Sequence, residues 1–446
     1  MKAAQAQRID TAGTALPRVS HGRGLRVWDD AGRSWIDGSG GPAVFCLGHG
    51  NVEVNAAIAA QLERIAFGYR RTFTSEPIEE LTALVAESCG GGLNRMVFVT
   101  GGSEAVESAL KLALQYHAAR GDMRRRRFVA RQRSWHGNTL GALAVSGFRE
   151  RRAPYEGALV EASFLSPANA YRPPEGVAPD ALAAHLAAEF EAELARVGPE
   201  TVAALIFEPV VGAAGGVVPA PPGYAQAMRA VCDRHGVLMI ADEVMCGAGR
   251  CGPWRTLSED GVTPDIMTVA KGLAGGYLPL GAAIFTDAVG ATIDAAHGGP
   301  RTGHTFTGHT ACCAAGVAVQ RIVRRDRLLE NVAALGPRLR ALLAEATAGI
   351  AEIGDIRGRG FFAGVELVAD AETKAPFPAA QRLFQKVGEE TFARGLICYP
   401  SGGNVNGVDG DTVIFSPPYT ANEADLAEIA AIFAEGLRAA LSRVGR

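Results

Sequence analysis

From about residue 95 to residue 285, short apolar runs alternate with amphipathic stretches. The runs at 96–100, 127–131, 203–207, 237–241, 266–270 and 282–285 are nearly continuous in apolar residues, as strands covered on both faces must be. Between the first two, Val106, Ala109, Leu110, Ala113 and Leu114 fall at helical spacing and form one stripe. This alternation predicts an α/β fold with a largely parallel sheet. Upstream, Leu25-Arg26-Val27-Trp28 and Ser34-Trp35-Ile36-Asp37 flank the turn Asp29-Asp30-Ala31-Gly32 and read as a strand hairpin. After about residue 322 the pattern shifts to helices with fewer strands. The glycine-rich polar segment 402–411 reads as a loop. No internal repeat is present.

Composition narrows the class. The 446 residues are 48% hydrophobic and 20% charged, an ordinary globular balance, so disorder is excluded. A net charge of −3 provides no global basic field for nucleic acid. The one dense basic run, Arg124-Arg125-Arg126-Arg127, is read as a solvated turn. The first eight residues lack an apolar h-region, so the expected location is cytoplasmic. The uncharged stretch 209–228 contains Pro209, Pro219, Pro221 and Pro222 and is not a membrane span. The 8 cysteines are expected to be reduced thiols. His304 and His309 lack a third ligand, so no metal site is expected.

Lysine is scarce: Lys2, Lys111, Lys271, Lys374 and Lys386 are the full set. Four fall in polar, amphipathic or terminal segments and read as surface. Lys271 instead ends the apolar run 266–270 and opens Gly272-Leu273-Ala274-Gly275-Gly276, at the strand edge where α/β sheets place ligands. An amine desolvated there has a lowered pKa and is suited to attack a carbonyl. The run 237–241 leads into Asp242, a carboxylate at the same edge, which if buried requires a cationic partner. Thr100-Gly101-Gly102-Ser103-Glu104 turns a strand into a helix and offers free amides to an anion. Trp135-His136-Gly137-Asn138 follows another strand and offers a flat aromatic face. Each feature has a mundane counterpart: a solvated lysine, an ion-paired aspartate, an ordinary glycine turn, a core tryptophan. Phosphate-loop, serine-hydrolase and zinc-protease motifs are absent from the sequence.

Taken together, an amine, a carboxylate, a phosphate cradle and a stacking aromatic describe a pyridoxal 5'-phosphate site. The chain resembles the class III (omega) aminotransferases of fold type I over nearly its whole length. The resemblance is carried by TGGSEAVESAL at 100–110, WHG at 135–137, FEPVVG at 207–212, LMIADEVMCGAGRCG at 238–252, PDIMTVAKG at 264–272, and the segments 302–311, 353–366 and 415–418. It implies a large domain with a mainly parallel sheet over 61–321, and a small α+β domain built from both chain ends, 1–60 and 322–446. It further implies that Lys271 holds the cofactor as a Schiff base and moves the substrate proton. Asp242 would pair with the pyridine nitrogen, and His136 would be among the residues that bind the cofactor. Trp135 and Val244 would flank the ring, Gly102 and Ser103 would bind phosphate, and Glu208 would lie beside the cofactor. Thr305 would reach the phosphate across a homodimer interface.

The expected reaction is ping-pong transfer of an amino group from an amine or amino acid to pyruvate or 2-oxoglutarate. Two departures from the family bear on substrate. Tyr399 stands where many members carry an arginine for a substrate carboxylate, and Ala213 where some branches keep a glutamate. Arg70, Arg71 and Arg301 are the alternatives for that carboxylate, among which the sequence does not choose. It also leaves open an epimerase, racemase or lyase outcome, a non-catalytic regulatory role, and dimer against tetramer.

Overall fold

The computed structural model describes residues 16–446; Lys2 and the first eight residues lie outside that range. Seven strands form the central sheet, in the order Arg95–Val99, Gly281–Phe285, Ile266–Val269, Leu238–Asp242, Val202–Phe207, Arg127–Arg131, Ala162–Leu165. The six expected runs are all present, and each observed strand lies within a residue of its run at either end. Their apolar continuity reflects burial on both faces: every residue of Val202–Phe207, Leu238–Asp242 and Ile266–Val269 is buried. Gly281–Phe285 is antiparallel to both of its neighbours. The other four pairings are parallel, so the remaining strands end at one common edge.

Helices cover both faces. Gly102–Ala119 buries Val106, Ala109, Leu110 and Ala113 against one face. Leu182–Val197 and Tyr224–His235 pack on the other and bury Leu186, Phe190, Met228 and Val231.

The two chain ends share a smaller sheet. Val19–Arg23, Arg26–Asp29 and Ser34–Asp37 are antiparallel neighbours, and Leu396–Ile397 adds in parallel beside Ser34–Asp37. A second four-stranded antiparallel sheet joins Ile353–Arg359, Phe362–Leu367, Asp411–Phe415 and Tyr399–Gly402. One apolar cluster runs through both chain ends, from Ile36 and Val54 to Phe415 and Leu437.

The basic run is not a simple solvated turn. Arg125 is largely buried; it donates to the carbonyls of Pro199, Val202 and His235 and pairs with Asp122. All eight cysteines are unpaired, as expected. Among the described residues no helix is long and apolar enough to cross a membrane.

Gly336 lies inside the helix Leu328–Ala346, where alanine would ordinarily be favoured by about 1 kcal/mol. The reason is a backbone crossing: a Cβ at Gly336 would sit 2.6 Å from the Cα of Gly360. Gly336→Ala is therefore expected to destabilise the protein by about 2 kcal/mol, the usual cost of overpacking, seen as a lower thermal midpoint. A raised midpoint would show that the crossing yields freely.

Candidate active site

The common strand edge brings the chemistry together. Leu238–Asp242 ends in Asp242, and Phe207, Val269, Arg131 and Val99 end four neighbouring strands. The residues immediately beyond them, Glu208, Lys271, Trp135, His136, Gly102 and Ser103, line one cleft of about 190 Å³ with Asp242 and Val244. Of the residues expected to hold the cofactor, only Thr305 lies elsewhere; it is exposed. Gly137, Met245 and Ala270 complete the lining.

Asp242 is only 3% exposed, and burying a carboxylate requires compensating donors. It has three. His136 Nδ1 donates to Oδ2 at 2.7 Å, Thr268 Oγ1 to Oδ1 at 2.9 Å, and the Val244 amide to Oδ1 at 3.0 Å. Strand register places the second donor, because Asp242 and Thr268 are direct partners in the parallel ladder. Thr268 was not among the sequence candidates; its signal is that it is the one polar residue inside an apolar run. His136 Nε2 is buried with no partner, an unusual condition for a buried nitrogen.

Glu208 accepts from the amides of Trp135 and Gly212, both at 2.9 Å. Burial raises its pKa, and the nearby Asp242 adds to the rise. Beneath it Arg131 is fully buried, donates to the Glu208 carbonyl and lies over the rings of Phe207 and Tyr224.

Lys271 adopts a left-handed backbone, φ +47°, at the start of a single 3₁₀ turn. For a non-glycine residue this conformation is costly and typical of functional positions. Burial lowers its amine pKa, partly offset by the negative charges of Asp242 and Glu208. Nζ donates to the Pro42 carbonyl at 3.3 Å. Of the other described lysines, Lys111 is exposed, and Lys374 and Lys386 are half-buried with backbone-carbonyl partners. None of them lines the cleft.

The helix Gly102–Ala119 begins without any side-chain cap, so its first amides and dipole face the cleft unpaired. The chain is tightly fitted here. A Cβ at Gly102 would lie 2.9 Å from Val244 Cγ1, and one at Gly137 2.7 Å from Ser103 Oγ. Ser103 Oγ also accepts from the Asn138 amide at 3.0 Å.

Tyr399 lines a larger cavity of about 870 Å³ beside the cleft, together with Asn138. Arg70, Arg71 and Arg301 line neither space; the Arg70 guanidinium rests against Gly303.

Comparison with known proteins matches residues 10–437 to the class III aminotransferase family model. The chain is 38% identical to an uncharacterized aminotransferase, YodT, of Bacillus subtilis over 96% of each sequence. It is 35% identical to the taurine–pyruvate aminotransferase of Rhodobacter capsulatus, over 97% of this chain and 93% of that one. Among solved structures, an (S)-enantioselective omega-transaminase of Thermomicrobium roseum superposes with a TM-score of 0.88 at 34% identity, covering 96% of this chain and 93% of the other. A PLP-bound amine transaminase from an uncultivated Pseudomonas species gives 0.88 at 32% identity, over 99% of each chain.

Behind Asp242, Glu243 is buried and accepts from the amides of Thr256 and Leu257. Burial raises its pKa to about 7. Its protonated form is therefore favoured by folding, and this contribution is lost as pH rises from the unfolded value through about 7. Between pH 5 and 8 the group should cost the native state about 3 kcal/mol at 1.36 kcal/mol per pH unit. Glu243→Gln is expected to shrink the pH 5 to 8 difference in unfolding free energy by that amount, whatever its absolute stability. An undiminished difference would mean that Glu243 stays ionised throughout.

Proposed function

Because this chain belongs to the class III aminotransferases and is a transaminase by fold and family, we propose that it transfers an amino group from an amine or amino-acid donor to a 2-oxo acid, pyruvate or 2-oxoglutarate. The family implies pyridoxal phosphate, and the cleft has the features such a group requires. Its walls offer an uncapped helix N-terminus for an anion, a donor-stabilised carboxylate with an orphan imidazole nitrogen beside it, an aromatic face and an amine. Gly102 and Ser103 would hold the phosphate, Asp242 the ring nitrogen with His136 beside it, and Trp135 and Val244 the two ring faces, with Glu208 alongside and Lys271 at the carbonyl carbon. When bound, pyridoxal phosphate supplies an electron sink for the pair left by breaking a C–H bond at the amine-bearing carbon.

The chain's own residues do the rest. The lowered pKa of Lys271 favours a neutral amine, so Nζ can accept a proton and return it. Its left-handed backbone and the Pro42 contact orient that nitrogen. Asp242, anchored by three donors, presents fixed negative charge that holds a proton on a nitrogen facing it. Glu208 fixes the Trp135 backbone and with it the aromatic wall. The observation that carries this reading is the convergence of Lys271 and the Asp242–His136 pair in one small cleft. No observation favours an epimerase or lyase outcome.

A second copy of the chain is part of the proposal. Tyr69, Phe73 and Phe306 are exposed at 46%, 65% and 52%, and Phe306 adjoins Thr305. A homodimer would cover these rings and bring Thr305 to the partner's phosphate site.

Two variants test the assignment. Lys271→Ala should abolish transfer from an amine donor to pyruvate or 2-oxoglutarate, followed by the amino acid formed; wild-type turnover would refute the lysine's role. Asp242→Asn should lower kcat by about a thousandfold, some 4 kcal/mol of barrier, while the fold, checked by circular dichroism, is retained.

A further inference from the structure

The glycine-rich loop 403–410, between the strands Tyr399–Gly402 and Asp411–Phe415, buries an amide side chain that the fold leaves unsatisfied. Asn404 is 5% exposed, and neither its Oδ1 nor its Nδ2 has a partner among the described residues. The loop's turn is closed instead by Asn406, whose Oδ1 accepts from the amides of Val408 and Asp409. Asn404 lines a small cavity of about 50 Å³, where the loop meets the segments that follow the strands Arg127–Arg131 and Ala162–Leu165. Two arginines share that wall, Arg133 and Arg172. Arg133 Nη1 and Arg172 Nη2 are buried and likewise without partners.

The two cations differ in what balances them. Arg172 Nε donates to Glu366 Oε1 at 2.6 Å, a carboxylate that also serves Arg357. Arg133 has no acid near it among the described residues; burial and its neighbour Arg149 lower its pKa. Arg133 is nonetheless held in place. It takes a left-handed backbone, φ +59°, and its guanidinium fits against Gly407, where a Cβ would lie 2.8 Å from Nη1. Beyond it opens a second space of about 530 Å³, lined by Arg149 of the four-residue helix Arg149–Arg152 and by Arg152, which pairs with Glu156. No acid lines the smaller cavity. Its unpartnered atoms are three donors, on Arg133, Arg172 and Asn404, against one acceptor, Asn404 Oδ1. Burying a cation without a counter-charge is costly. A small anion supplies both the acceptor that such donors require and the charge that a water molecule lacks.

We propose that this cavity binds one small inorganic anion of chloride size, held by Arg133, Arg172 and Asn404, which fastens the loop 403–410 to the segments beyond Arg131 and Leu165. The site is separate from the cleft, with which it shares no lining residue. It bears on the wall beyond, because Gly403, Gly407 and Val408 of the same loop line the cavity of about 870 Å³ beside Tyr399. An anion that binds only the folded chain stabilises it in a concentration-dependent way, and here it also steadies that wall.

The test is chloride binding to the full chain loaded with pyridoxal phosphate, read from broadening of the chloride NMR line. The thermal midpoint is measured alongside in sodium chloride and in sodium gluconate at equal ionic strength, since gluconate is too large to enter. The wild type should show broadening that bromide displaces, and a midpoint higher in chloride than in gluconate. Arg133→Gln removes the uncompensated cation and should abolish both effects. Should that variant fold poorly, Asn404→Asp decides. Its carboxylate brings the negative charge into the cavity from the chain itself, so chloride affinity should fall at least tenfold while the midpoint in gluconate stays at or above that of the wild type. No displaceable chloride binding in the wild type, or an unchanged affinity in Asn404→Asp, would overturn the site. An equal midpoint in the two salts would also overturn it, as an effect of ionic strength alone.

Discussion

Burying the carboxylate of Asp242 at the end of a central strand is costly, and the site is organised around meeting that cost. A lone buried carboxylate would take up a proton rather than stay charged. Here three donors hold it, from the adjacent strand, from its own following turn and from the segment after a strand two places away. Those donors converge only if the sheet order places Val202–Phe207 between the strands that lead to Asp242 and His136, and only if the register sets Thr268 against Asp242. The position of one negative charge thus depends on the topology of the whole sheet.

Neighbouring groups take on roles set by the same burial. Glu208 and Glu243 accept backbone amides, and burial pushes both pKa values upward. Lys271 is pushed the other way. Asp242 is held by an imidazole and a hydroxyl, while Glu208 and Glu243 anchor the Trp135 and Thr256 backbones. Preorganisation of this kind spares the site from rearranging as charge develops.

The wall outside the cleft follows a similar logic. Arg152 is held by backbone carbonyls inside the fold, so the short helix that carries it cannot rotate freely. Arg151 is then exposed to the cavity that Tyr399 lines, as a consequence of its neighbour's anchoring. Ser401 Oγ donates to the Ala213 carbonyl and holds the Tyr399–Gly402 strand over the opposite side.

Much of this was legible in the sequence. Six central strands could be placed because buried parallel strands are unbroken apolar runs, and Lys271 stood out because lysine is rare and this one ends such a run. The edge strand Ala162–Leu165 is short and half-buried, and Ile353–Arg359 mixes charge with glycine, so neither rises above the background of loops. The antiparallel direction of Gly281–Phe285 is invisible in its composition, since an apolar run has no polarity. The sequence by itself determined which residues lie at strand ends and which chemistry they carry. Only the tertiary structure decided that Asp242 meets His136 across 106 residues, and which of two adjacent arginines turns inward. Those outcomes depend on sheet order, register and the position of distant carbonyls, which no local pattern encodes.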